Sequence, residues 1–171
     1  MKKMSASHIA RIAIVTAVYA GATLGIYPLS FGQIQFRFSE ILVYLCFFNP
    51  EYCVSLILGC FIANLFSPLT YYDLVFGVMS TIVTVIPIAM FGKYKPFGEK
   101  TSMLVSGLFA TLSMVFVAWE LTFFGQPFWL SFGTAALGEF VVVTLLGFPL
   151  FSKLGKNKKF IELIKSKNAH F

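Results

Sequence analysis

Hydrophobic positions along this chain fall in blocks rather than in the stripes of a soluble amphipathic fold. Apolar runs cover residues 8–26, 36–48, 52–66, 72–92, 101–124 and 128–151, separated by short polar or turn-rich connections. A helix needs about 20 apolar residues to cross a bilayer. The pattern therefore predicts an all-α integral membrane protein of six transmembrane helices, folded as one domain over residues 1–171. The second and third blocks are shorter than a straight span requires, so they are expected to borrow residues from their loops or to sit beside a local thinning of the hydrophobic layer. No repeat of 20 to 50 residues divides the chain, and the basic end, 153–171, is expected to lie along the inner membrane surface.

Composition agrees with a lipid environment: 58% of the 171 residues are hydrophobic and only 12% are charged. The 13 Lys and Arg exceed the 7 Asp and Glu, but their placement argues for topology rather than for nucleic acid. Lys2 and Lys3 precede the first block, Lys93, Lys95 and Lys100 separate the fourth and fifth, and six Lys from Lys153 to Lys167 follow the sixth. The alternate connections, 27–35, 67–71 and 125–127, contain no Lys or Arg. The positive-inside rule then predicts cytoplasmic N- and C-termini in a protein of the cell membrane. The opening Lys pair, apolar run and small residues Ala20, Gly21 and Ala22 also suit a secretory signal, but five further apolar blocks follow, so the segment is read as the first membrane helix. Cys46, Cys53 and Cys60 lack CxxC spacing and a neighbouring His, which makes them packing residues and predicts neither a disulfide nor a metal site.

A charged group in hydrocarbon is costly, so ionisable residues inside the blocks are the candidate chemistry. On the predicted topology Arg37, Glu40, Asn64, Asp73 and Glu120 all lie toward the outer leaflet, and Glu139 lies deeper, about 15 Å into the sixth helix. Arg37 and Glu40 are spaced i and i+3 and can neutralise each other on one helix face. Asp73, Glu120 and Glu139 have no cation near them in sequence, and one Arg does not balance four carboxylates. They are therefore expected to be protonated in part, or to meet donors or a cation carried by a ligand. Gln33, Gln35 and Gln126, with Tyr27, Tyr71, Tyr72, Trp119 and Trp129, suit a flat, donor-rich ligand, with Trp119 favoured for stacking; an interfacial aromatic belt is the alternative. Ala13, Ala17 and Gly21 recur every four residues on the first helix, for internal packing or for docking another membrane protein. The chain has no GxxxxGK[ST], HExxH or GxSxG motif, and its histidines are His8 and His170. Neither its own ATP hydrolysis nor enzymatic catalysis is expected, and no cofactor is implied.

Three segments carry a resemblance: Ser30-Phe31-Gly32-Gln33-Ile34-Gln35-Phe36-Arg37-Phe38-Ser39-Glu40; Asn64-Leu65-Phe66-Ser67-Pro68 followed by Asp73-Leu74-Val75-Phe76-Gly77; and Gly138-Glu139-Phe140 through Gly147-Phe148-Pro149-Leu150-Phe151. They resemble the QueT family of substrate-binding S components of energy-coupling factor transporters, assigned to queuosine precursors. Gln33 stands where Pro is common in that family's run. The resemblance covers nearly the whole chain. It implies an S-component-like bundle with a pocket near the outer face, docking through Ala13 and Ala17 onto a transmembrane coupling protein served by two cytoplasmic ATPases. The implied substrate is a 7-deazaguanine such as preQ1 or preQ0, a deazapurine whose paired N–H donors match a carboxylate, with Glu139 expected on that edge and Glu120 or Asp73 on an aminomethyl cation. Competing readings are an S component for another small nutrient and a membrane scaffold without ligand.

Overall fold

The computed structural model describes residues 6–32 and 36–164, and these are helical with no strand among them. Lys2, Lys3, Gln33, Gln35 and the C-terminal residues from Lys165 onward lie outside the described residues. The elements are α1 (Ala6–Gly25), a short α2 (Tyr27–Ser30), α3 (Phe38–Phe48), α4 (Tyr52–Asn64), α5 (Thr70–Tyr94), α6 (Glu99–Thr122), α7 (Phe128–Leu154) and α8 (Lys158–Ile164). Four of them, α1, α5, α6 and α7, are long and apolar enough to cross a bilayer. The chain is thus a multi-pass membrane protein.

Burial is distributed as lipid demands. Ile14, Leu112, Leu130 and Leu145 face outward, while Thr16, Ser55, Ser80, Ser106 and Ser113 are buried between helices. Lipid tails solvate leucine as well as a protein core does, so helix association relies on close packing and interhelical hydrogen bonds. At Gly92 a Cβ would come within 2.0 Å of the Phe47 carbonyl oxygen, so only glycine lets α5 meet α3 there.

α3 and α4 are 11 and 13 residues long by their bounds, about 20 Å each by rise per residue. The structure supplies a reason for the shortness of α3. Its first seven residues, Phe38–Tyr44, form a 3₁₀-helix, which covers more distance per residue. The segment also sits inside the protein: Val43, Tyr44 and Cys46 are fully enclosed, packed with Leu56, Val85, Ile88 and Val143. Weaker backbone geometry at membrane depth is tolerated where protein rather than lipid surrounds it. Two π-helical stretches, Asp73–Gly77 in α5 and Phe140–Gly147 in α7, begin at or just after the candidate residues Asp73 and Glu139.

The two ends of the bundle differ. At one, His8 of α1 is 3.1 Å from Glu51, and Asn49 and Tyr52 donate to the Ile164 carbonyl at 3.0 and 3.2 Å. Lys95 in the α5–α6 turn lies 5.9 Å from the Phe47 ring. Both described chain ends therefore meet at this basic end, and α8 is fastened to the bundle rather than lying apart from it. Arg37, Asn64, Asp73 and Glu120 gather at the other.

Candidate functional site

Arg37 leads into α3 and is buried. Its Nε donates to the Ser30 carbonyl at 3.3 Å, and its guanidinium carbon lies 5.2 Å from the Phe31 ring centre. Nη2 is 3.5 Å from Asp73 Oδ1, an ion pair without hydrogen-bond alignment, so this nitrogen has no hydrogen-bond partner among the described residues. Asp73 accepts a hydrogen bond from the Ser67 hydroxyl on its other oxygen. Its own carbonyl accepts from Asn64 Nδ2 at 2.8 Å. Gly77, one π-turn on, makes room for that amide: a Cβ there would stand 2.6 Å from Asn64 Nδ2.

Arg37 makes its close ion pair with Asp73 rather than with Glu40. Glu40 accepts instead from the hydroxyl of Tyr19, on the buried face of α1, beside a Thr23–Ser39 hydroxyl contact of 2.6 Å. The i, i+3 spacing is realised only in the backbone, where the Glu40 N–H donates to the Arg37 carbonyl at 2.9 Å, the short reach of a 3₁₀ turn.

Glu120, near the end of α6, is 1% exposed and neither carboxylate oxygen has a hydrogen-bond partner among the described residues. Glu139, at the start of the α7 π stretch, is 2% exposed and its Oε1 is likewise unpartnered. Glu120 is within electrostatic reach of Asp73 and Arg37, and Glu139 of Glu40 and Arg37. Five charged groups thus form one buried set with a single cation. Among the described residues no three His, Cys, Asp or Glu side chains converge as metal ligands would.

A cleft of about 260 Å³ opens beside this set, lined by Phe31, Gly32, Ser67, Asp73, Gln126 and Thr134 among others. That is close to the lower end of ligand-site volumes, roughly 300 Å³. Of the sequence candidates, Asp73 and Gln126 line the cleft, Arg37 and Asn64 contact Asp73, and Glu40, Glu120 and Glu139 are buried without lining it. Gln33 and Gln35 lie outside the described residues. Trp119 is 56% exposed and packs on Phe76 with ring centres 6.2 Å apart, on the outside of the bundle. Phe31 is the aromatic at the cleft. Sequence reasoning passed over Tyr19, Ser67 and Thr134, whose residue types are common in any membrane helix; only Ser67, inside the Asn64–Pro68 motif, carried a signal. Ala13, Ala17 and Gly21 are exposed, and a Cβ on Gly21 would meet nothing within 4 Å. Among the described residues the stripe is not buried against another helix.

Comparison with known proteins adds two findings. The family described as QueT transporter matches residues 9–156. The Queuosine precursor transporter QueT of Lactococcus lactis subsp. cremoris (strain MG1363) is 37% identical over 165 residues, covering 91% of this chain and 96% of that protein. No solved structure matches significantly.

Proposed function

Since this chain belongs to the QueT transporter family, we propose that it is the substrate-specific S component of an energy-coupling factor importer, capturing a queuosine precursor at the outer face of the cell membrane. The reading includes six membrane crossings, with α3 and α4 as short ones, and cytoplasmic termini at the basic end. The observation that carries it is the buried surplus of carboxylate oxygens. Glu120 and Glu139 are almost fully enclosed, yet among the described residues three of their oxygens accept no hydrogen bond. A buried carboxyl oxygen left without a hydrogen bond costs about 1–3 kcal/mol, and more when the group is charged, so a structural scaffold has no reason to keep two such carboxyls beside a cleft. A 7-deazaguanine brings the missing groups: paired N–H donors for one carboxylate and, in preQ1, an ammonium for another. Asp73, held by Arg37, Ser67 and Asn64, presents the acid of the cleft wall, and Phe31 a stacking surface.

No energy-transducing motif is present, so uptake requires a transmembrane coupling protein and two cytoplasmic ATPases. The exposed Ala13–Ala17–Gly21 stripe offers the close backbone approach such docking needs. The test is a binding titration of the purified chain with deazaguanines, guanine and unrelated vitamins. Saturable binding of a deazaguanine is expected; a preference for an unrelated vitamin, or no binding of any of them, overturns the reading. In cells, Ala17→Trp is expected to stop uptake while binding persists.

A further inference from the structure

The buried polar atoms that lack partners near the cleft are not all acceptors. Arg37 Nη2 is a donor, fixed by its Nε bond to Ser30 on one side and the loose 3.5 Å approach to Asp73 on the other. Glu120, on α6, adds two acceptors when ionised, neither with a hydrogen-bond partner among the described residues. One donor and two acceptors form the complement of a lactam–amidine edge, in which a ring carbonyl is followed by a ring N–H and an exocyclic amino group. Resting on the proposed function, we infer that Arg37 and Glu120 read this edge of the bound base, Arg37 Nη2 donating to the ring carbonyl and the two Glu120 oxygens accepting from the ring N–H and the amino group.

The assignment moves the edge from Glu139 to Glu120. Both Glu120 oxygens are unpartnered among the described residues, and α6, which carries Glu120 next to the cleft residue Leu121, packs on the Asp73–Gly77 stretch whose Asp73 faces Arg37. Asp73 is unsuited to the edge because Ser67 already donates to one of its oxygens and Arg37 faces the other. The ion pair without hydrogen-bond alignment leaves Nη2 free to turn to a ligand while Asp73 keeps its Ser67 bond. Arg37 and Glu120 thereby become specificity-determining residues. A site built around polar groups that the wrong ligand leaves unpaired discriminates far more sharply than one built on bulk.

The experiment measures affinities of the full chain for three bases: the parent deazaguanine, its counterpart with the carbonyl replaced by an amino group, and its counterpart without the exocyclic amine. The unsubstituted protein is expected to bind the first replacement at least ~100-fold more weakly and the second ~10- to 100-fold more weakly. In Glu120→Gln the penalty for losing the exocyclic amine should shrink to about threefold or less, because the acceptor that made it matter is gone. Arg37→Lys keeps the charge opposite Asp73 but withdraws the fork, and should weaken the carbonyl base while leaving the amino counterpart unchanged. The assignment is overturned if the unsubstituted protein binds the amino counterpart within about threefold of the parent, a comparison that needs no folded variant, or if Glu120→Gln retains the full amine penalty. Failure to bind the parent base overturns the proposed function and this inference together; binding the parent without the discrimination overturns the inference alone.

Discussion

Among the described residues, the buried polar cluster between α5 and α6 is complete and the one around Arg37 and Asp73 is not. Between α5 and α6, Ser80 donates to the Ser113 carbonyl at 3.2 Å, the Ser80 and Thr84 hydroxyls lie 2.9 and 2.8 Å from the Ser113 hydroxyl, and Ser113 donates to the Ala110 carbonyl at 2.7 Å. Each hydroxyl there has a partner, all are neutral, and the cluster behaves as interhelical glue. The Arg37–Asp73 cluster carries one cation against four carboxylates, with orphan atoms on Arg37, Asn64, Glu120 and Glu139. The difference separates polarity that serves assembly from polarity that waits for something. A buried network left half satisfied is worse for stability than an apolar core, which is the feature the proposed ligand site accounts for.

The contrast is broken most forcefully at Arg37. Arg37→Ala removes the one cation of the charged set and leaves Asp73 facing Glu120 with Ser67 as its remaining side-chain partner. Stripping one member from a buried pair typically costs about 3–5 kcal/mol. A large fall in the unfolding temperature in detergent is expected, with loss of ligand binding. An unfolding temperature within a degree or two of the unsubstituted protein would mean that Arg37 does not hold this end together.

How much of this contrast was legible before the structure depends on how local each feature is. The long apolar blocks were read to within two or three residues: 72–92 against Thr70–Tyr94, and 128–151 against Phe128–Leu154. Hydropathy is additive along a segment, so a long run declares itself. The 3₁₀ start of α3 and the π stretches of α5 and α7 were not legible, because they arise from packing against other helices. The ion pair of Arg37 was missed for the same reason. Its partner lies 36 positions away, and the nearer carboxylate, Glu40, is taken by Tyr19 of α1. Sequence identified the charged residues worth attention; their pairings belong to the tertiary structure. Trp119 shows the converse error, since adjacency to Glu120 on a helix turns the two side chains about 100° apart, one inward and one to the exterior.

A gentler lesion sharpens the comparison through opposite signs in binding and stability. Glu139→Gln replaces an enclosed carboxylate, unpartnered at Oε1, by a neutral side chain of the same size, removing a desolvation cost. Stability in the absence of ligand should hold or rise. Loss of a charge-assisted hydrogen bond to ligand should cost about 1.5–3 kcal/mol, a fall in affinity of roughly ten- to a hundred-fold. On the inference that Glu120 takes the paired-donor edge, Glu139 joins Asp73 as a candidate for the aminomethyl cation, and in that role its loss should weaken preQ1 more than the uncharged nitrile preQ0. Parallel thermal unfolding and titration with both bases check this, and equal small losses for the two would remove Glu139 from the site.

The smallest effect is expected where the polar cluster is complete. Ser113→Ala deletes the hydroxyl shared by Ser80 and Thr84, yet Ser80 keeps its bond to the carbonyl of residue 113 because the backbone is unchanged. Interhelical hydrogen bonds of this kind average only about 0.6 kcal/mol in membrane proteins, with a maximum near 1.7 kcal/mol, since the separated helices find other partners for the same groups. The unfolding temperature should drop slightly. Affinity for a deazaguanine should stay within about twofold, because no atom of the Arg37–Asp73 set is touched and distant sites act independently. A tenfold loss of binding in Ser113→Ala would join the two clusters into one functional network and erase the distinction between glue and site; unchanged binding in this variant beside a large loss in Glu139→Gln would confirm that orphan polar atoms, rather than buried polarity in general, mark where the ligand goes.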